Sequence, residues 1–345
     1  GGVNRNVIIN GAMNVAQRGT SSTGIGGSSG YFTCDRWLIA QSGDGRLTMT
    51  QDSSVPTGKG FANSIKLDCT TADTSIAASE FLQIVQKIEG QNLQSIGKGT
   101  SDAKPITVSF YVKANAAFNF VCELNDLDNT RHISKLFSTT TDWVKHEITF
   151  PADTTGAFDN DNAASLNLTF WLHAGSTYSG GTLNTASFAS TTNANRAAGV
   201  SSFYSSTDNN FFITGVQLEV GQNPTEFEHE PFERTLEKCQ RYFFKWSVDA
   251  TSLGAGIYYA NNQVLGYHKY PRTMRASPTM ANSGAGCIYA YTQGTFRTQD
   301  SGPVHDNIGT DSLRWNFNVS VNGTVGDGAY IQLPASQYIQ GDAEL

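Results

Sequence analysis

Pro105-Ile106-Thr107-Val108-Ser109-Phe110-Tyr111-Val112-Lys113-Ala114 puts Ile106, Val108, Phe110 and Val112 at every second position, with Thr107, Ser109, Tyr111 and Lys113 between them. A period of two marks an extended strand with one face on a core, because successive side chains leave a strand in opposite directions. The pattern recurs outward from this stretch. Residues 117–124 carry Phe118, Phe120 and Cys122 on one face, and 64–69 carry Ile65, Leu67 and Cys69. Residues 81–88 read as a strand with apolar groups facing both ways, and 143–150, 166–172 and 211–220 add further short apolar runs, as does Ile133 with its neighbours. Residues 36–41 and 46–51 flank Gly43-Asp44-Gly45 and read as a hairpin. Val7-Ile8-Ile9 is closed by the turn dipeptide Asn10-Gly11. Many short strands with almost no helical spacing predict an all-β chain, most plausibly a jelly-roll β-sandwich.

Two segments break the strand pattern. Residues 20–30 are almost wholly Gly, Ser and Thr and read as a flexible loop. Residues 175–210 are rich in Ser, Thr, Asn and Gly, a length of loop that is functional or disordered more often than idle. After Gly221 the character changes. Glu226, Glu228 and Glu230 lie between Pro224 and Pro231 and read as a solvated, extended linker. Residues 232–243 then form the one convincing helix, with Phe232, Leu236, Cys239 and Phe243 in an apolar stripe and Pro231 ahead of the first turn. Strand patterns resume at 256–259, 263–270, 286–291, 313–321 and 329–333. The expected organisation is a jelly roll over 1–230, then a helix and a second, smaller β-rich domain over 231–345.

Bulk properties narrow the function classes. Charged residues are only 15%, so Ser, Thr, Asn, Gln and 34 Gly must supply the polar surface. Such a surface suits a durable extracellular particle or a sugar-facing one. The net charge of −7 argues against nucleic acid, which needs a cationic field. No apolar run approaches the roughly 20 residues that cross a bilayer, so membrane insertion is not expected. Cys34, Cys69, Cys122, Cys239 and Cys287 are scattered and odd in number, and read as reduced, buried hydrophobes. The chain opens Gly-Gly-Val without Met, which reads as a fragment or cleaved product with an upstream segment.

Several segments, taken in order, resemble the tail-fibre and receptor-binding proteins of tailed phages, particularly marine ones. The opening run from Asn4 through Val7-Ile8-Ile9-Asn10-Gly11 to Gln17-Arg18-Gly19-Thr20 is similar to the "LIING…Q.RGT" start of their jelly-roll domain. As there, a Ser/Gly loop and Asp35-Arg36-Trp37 follow. Ser109-Phe110-Tyr111-Val112-Lys113-Ala114 matches their "SFYVKA" strand, and Gly215-Val216-Gln217-Leu218-Glu219-Val220-Gly221 resembles their final jelly-roll strand. Cys239-Gln240-Arg241-Tyr242-Phe243 is similar to their "CQRYY" helix, and Met274-Arg275-Ala276-Ser277-Pro278-Thr279 and Asp342-Ala343-Glu344-Leu345 to their C-terminal domain. The SFYVKA and Leu218-Glu219 strands also resemble carbohydrate-binding modules with jelly-roll folds. The resemblance implies a homotrimeric, virion-borne fibre, assembled in the host cytoplasm and joined to other tail proteins through an upstream segment. It also implies adhesion to host cell-surface polysaccharide or lipopolysaccharide. A virion structural or decoration protein is the alternative, and a polysaccharide depolymerase the third reading.

No catalytic signature stands out: Gly26-Gly27-Ser28-Ser29-Gly30 matches GxSxG only inside the Gly/Ser/Thr loop, without the strand-to-helix context of an elbow, and there is no HExxH, Walker loop or dinucleotide-binding glycine pattern. The expectation is therefore no enzyme, no catalytic residue and no cofactor. Asp159 and Asp161 are candidate oxygen ligands for a structural Ca²⁺, against the stronger reading of a plain turn. Sugar binding needs flat rings for the C–H faces of pyranoses and amides or guanidinium groups for hydroxyls. Trp171, His173 and Tyr178 lead from a strand into the long polar loop, and Asn129 and Arg131 precede another strand, so these five are the candidate ligand contacts. The bland alternatives are Trp171 as core and Tyr178 as a loop anchor. Trp37, Trp143 and Phe110 read as core, and Trp315 fits either role.

Overall fold

The Ile106–Ala114 stretch is a strand whose apolar positions point into a sandwich. Phe110 is fully buried, with Phe170 and Phe137 ring centroids 4.9 and 5.1 Å away. Burying one such side chain contributes roughly 1.5–3 kcal/mol. The computed structural model describes residues 5–247, 251–300 and 304–345. It divides into one unit of Gly1–Thr235 with Leu345 and another of Leu236–Glu344.

In chain order the strands of the first unit are β1 (Ser21–Ile25), β2 (Gly30–Tyr31), β3 (Leu38–Ser42), β4 (Arg46–Asp52), β5 (Ser64–Thr71), β6 (Phe81–Glu89), β7 (Ile106–Ala114), β8 (Asn119–Asp126), β9 (Arg131–Ser138), β10 (Val144–Phe150), β11 (Ala164–Ala174), β12 (Ala189–Ser190) and β13 (Asn210–Val220). They form two antiparallel sheets, β1-β4-β5-β13-β7-β10 and β12-β9-β8-β11-β6-β3-β2, around one apolar core. This is a jelly-roll β-sandwich.

The sheet order corrects the expected hairpin at 36–51. β3 pairs with β6 and β4 with β5, so Gly43-Asp44-Gly45 carries the chain from one sheet to the other. A Cβ on Gly45 would lie 2.5 Å from the Tyr204 ring, so only glycine lets the crossover pass. The 20–30 loop is partly strand: Ser21–Ile25 pairs with β4. The expected turn at Asn10 is a hub, with φ at 59° and its side chain bonded to Val15 O, Val15 N and Asp35 O. The glutamate linker is docked rather than solvated. Glu228 Oε2 accepts from the Arg5 and Asn6 amides at 2.7 and 3.0 Å, and Phe227 and His229 pack on Phe61.

A short α1 (Ser176–Ser179) interrupts the long loop, and α2 (Phe232–Gln240) is the expected helix, three residues shorter than its apolar stripe suggested. Phe243 ends up in a strand because the chain from there pairs with the C-terminal segment. Phe232 is half exposed, whereas Cys239 is fully buried. The second unit contains β14 (Phe243–Trp246), β15 (Thr251–Ala260), β16 (Gln263–Lys269), β17 (Thr279–Asn282), β18 (Tyr289–Thr292), β19 (Thr295–Thr298), β20 (His305–Asp306), β21 (Ser312–Asn318), β22 (Gly328–Leu333) and β23 (Ile339–Asp342). A seven-stranded sheet, β19-β18-β22-β15-β16-β21-β20, and a three-stranded one, β14-β23-β17, enclose Trp315, Tyr258, Ile331 and Phe244. The five cysteines are all buried, and burial pushes the Cys69 and Cys287 thiols up to about 11.

Candidate functional site

The five residues singled out from sequence do not share one exposed face. Trp171 is fully buried: its Nε1 donates to Glu123 Oε2 at 2.8 Å, and the Arg196 guanidinium lies 5.0 Å over its ring. Arg196 also grips Glu123 through Nε and Nη2 at 2.7 and 2.9 Å, which straps the 175–210 loop onto the outer face of β8 and β11. Tyr178 packs on Phe81 and Trp171 beneath that strap. His173 is buried and hydrogen-bonded to Ser202 Oγ at 2.8 Å. Asn129 donates to Asp126 and to Ala157 O, and Arg131 to Asp153 and Phe188 O, so both brace loops. None of these groups presents a ring or amide as a ligand platform.

Asp159 and Asp161 likewise have structural work. The Asp159 amide donates to Asp128 Oδ2, and Asp161 Oδ1 accepts the Ala163 amide, each at 2.9 Å. Among the described residues no group of three or more His, Cys, Asp or Glu is placed to hold a metal ion. Carboxyl groups meet at Asp73 and Glu80, both more than nine-tenths buried. Burial first, then the Asp73 and Asp44 charges, push the Glu80 carboxyl above its ordinary range against the Ala77 amide. Asp73 accepts from the Ser75 and Asp44 amides, so the pair staples turns.

The exposed aromatic surface lies instead on the seven-stranded sheet of the second unit. Its inner face is fixed by two glycines. A Cβ on Gly256 or Gly266 would strike Ile331 Cδ1 at 2.9 or 2.4 Å, so these positions belong to the core side and their neighbours face outward. Register then aligns one row across the sheet. Phe296 faces Tyr291, Tyr291 faces Tyr330, and Tyr330 faces Ala255. One step from the Gly256–Gly266 pair comes Tyr267, which faces Arg314, and Arg314 faces Asp306. Tyr330 and Tyr267 are 62% and 60% exposed, a degree that large rings reach only when nothing packs on them.

Between the two tyrosines the floor is small. Ala255 occupies the middle of the row, and a Cβ on the neighbouring Gly328 would meet nothing within 4 Å. Two hollows result, both bordered by Ala255. One of about 580 Å³ is lined by Ile257, Leu265, Tyr267, Asn307, Ser312 and Arg314, and the other, about 370 Å³, by Tyr291, Gln293, Gly328 and Tyr330. Two strand spacings, about 9.6 Å, separate the tyrosine strands. At the row's end Arg314 makes a bidentate pair with Asp306, both bonds 2.6 Å, and Asn316 Nδ2 adds a third at 2.7 Å. These bonds, Arg314's first, hold the Asp306 carboxyl below its ordinary range. The result is a shallow apolar trough with fixed polar groups at one end, the general form of a small-molecule binding surface. The strands of Ala255, Tyr267, Tyr291, Arg314 and Tyr330 were visible in the sequence, and those of Phe296 and Asp306 were not. Which of Tyr258 and Tyr259, or Gly266 and Tyr267, faces out was not, because that choice depends on Ile331 and Trp315 far along the chain.

No protein-family model matches the chain, and no curated protein matches it. Among solved structures, it is similar to the enzymatically active domain of tailspike protein 4 of bacteriophage CBA120, at 12% identity over 63% of this chain and with a TM-score of 0.35. The chain spans only 21% of that tailspike chain. It is also similar to a family 11 carbohydrate-binding module from Clostridium thermocellum in complex with a mixed-linked tetrasaccharide, at 12% identity over 60% of this chain and 99% of that one, TM-score 0.29. The module TmCBM61 in complex with β-1,4-galactotriose gives 10% identity over 64% and 99%, TM-score 0.32.

Proposed function

We propose that this chain is the receptor-binding part of a tailed-phage fibre, which adheres to glycans of the host surface without cutting them. The observation that carries the reading is the tyrosine row: Tyr267 and Tyr330 flank a floor of Ala255 and Gly328 on an otherwise small-residue strand centre. Aromatic faces are electron-rich, so the polarised C–H edges of a pyranose settle on them, while the phenol hydroxyls stay wet. The Arg314–Asp306–Asn316 group adds fixed donors and acceptors for ring hydroxyls. The ordered phage-fibre motifs supply the biological setting: a homotrimer in the virion, attached to other tail proteins. Single shallow sites are weak, and three on one fibre gain through effective concentration.

A glycan array tests the reading. The chain should retain a subset of host-surface glycans, and Tyr330→Ala should weaken each by roughly 2- to 10-fold, the size of one aromatic contact. Release of reducing ends from those glycans would instead select a depolymerase. A second reading, a virion structural protein, is favoured by the exposed apolar Ile257 and Phe296 on the same sheet. It predicts no glycan retained and self-association that Ile257→Ser abolishes.

A further inference from the structure

A second unabsorbed surface lies on the first unit, on the outer face of its six-stranded sheet. Lys113 on β7 faces Phe212 on β13, and Phe212 faces Lys66 on β5. One step beyond the Val144–Val112 pair, Trp143 falls opposite Lys113. The four side chains therefore alternate aromatic and cationic across four strands, a span of about 14 Å. Lys113 Nζ lies 4.4 Å from the Phe212 centroid and 5.6 Å from that of Trp143, and Lys66 Nζ lies 5.6 Å from Phe212. Trp143, read from sequence as core, is only partly buried here.

The charges on this ladder are not equivalent. Lys66 is paired with Asp68 at 2.8 Å. Lys113 has no carboxylate within ion-pair distance among the described residues, and its one hydrogen bond goes to Ser54 Oγ at 2.8 Å. An ammonium group has three N–H donors, so two remain. The rings on either side hold the stem extended and the charge in place, which lowers the entropic cost of using it.

We infer that this ladder binds an anionic segment of a polysaccharide. A carboxylate or sulfate sits on Lys113, the adjoining sugar ring lies on Trp143, and hydroxyls reach the Lys66–Asp68 pair. The inference names a ligand class within the glycan reading but uses residues separate from the tyrosine row. The whole chain carries −7, which repels polyanions in general, so retention by one reports a local site.

Affinity electrophoresis of the full chain through gels containing polygalacturonate, dextran sulfate or neutral dextran tests it. Retardation by either anionic polymer, but not by dextran, is expected, and which one retards identifies carboxylate or sulfate as the anion. Lys113→Met keeps the stem on Phe212 and should weaken retention about tenfold, as for loss of a charge-assisted hydrogen bond. Lys113→Arg should keep it, and Lys104→Met, at an exposed lysine off the ladder, should leave it unchanged. Retention of Lys113→Met at wild-type strength, equal retardation by dextran, or no retardation by either polyanion overturns the inference. Because the tyrosine row is untouched, loss of array binding by Tyr330→Ala alone stands or falls separately. A circular dichroism spectrum matching wild type shows that Lys113→Met is folded.

Discussion

Lys98 shows how completely single residues of this chain are committed. Its ammonium is almost wholly buried and sits among Asp126 Oδ2 at 2.5 Å, Asp153 Oδ2 at 3.2 Å, and the carbonyls of Thr155 and Gly156 at 2.8 and 2.7 Å. Removing one partner of such a cluster leaves buried carboxylates uncompensated, so Lys98→Met should cost about 3–5 kcal/mol in urea unfolding. A change below 1 kcal/mol would refute the cluster's role. Burial pushes the Asp153 carboxyl up, but Arg131, the Thr155 amide and Lys98 outweigh it and hold it below the ordinary range. A depressed pKa stabilises the fold above the unfolded value of about 3.9 and loses that contribution as pH falls through the folded value. Acid unfolding should accordingly steepen below about pH 4, and Asp153→Asn should flatten it. On the tyrosine face, Gly328→Leu meets open space and should fill the smaller hollow with little loss of stability. None of these roles was legible from local sequence. Arg196 and Glu123, which bury Trp171, are 73 residues apart, and no local pattern announces the pair.

At the scale of elements the period of two was reliable wherever a strand buries one face. It carried β5, β7 and β8, and short apolar runs carried β6, β10, β11 and β13, to within a few residues. It failed where pairing partners decide the outcome. The glycine turn at 43–45 looks locally like a hairpin, yet the flanking strands join different sheets. The stripe ending at Phe243 reads as helix, yet Phe243 and Phe244 are both buried in a strand whose partner is the chain's last segment. The 175–210 loop was visible as unusual, and its role is to strap one face of the jelly roll. Arg196→Ala should open it. Limited proteolysis would show new cleavage within 175–210, and unchanged fragments would argue that Arg196 is dispensable.

At the scale of the whole molecule two β units each have their own core, and the proposed fibre role adds repetition of the chain. Light scattering at micromolar concentration should give three times the 37.2 kDa chain mass, and a monomer would remove the multivalent half of the account. The chain's low charge and hydroxyl-rich composition suit a durable extracellular particle and a sugar-facing surface alike. They could not show which unit carries the trough, because exposure of Tyr267 and Tyr330 is a property of sheet order rather than of composition. The central claim is that these two rings hold sugar. Calorimetric titration of the full chain with the host's surface polysaccharide, beside a Tyr267→Ala/Tyr330→Ala variant of unchanged Tm, measures it directly. The account predicts saturable binding that falls by about 10- to 100-fold in the variant. Equal affinity in both proteins would contradict it.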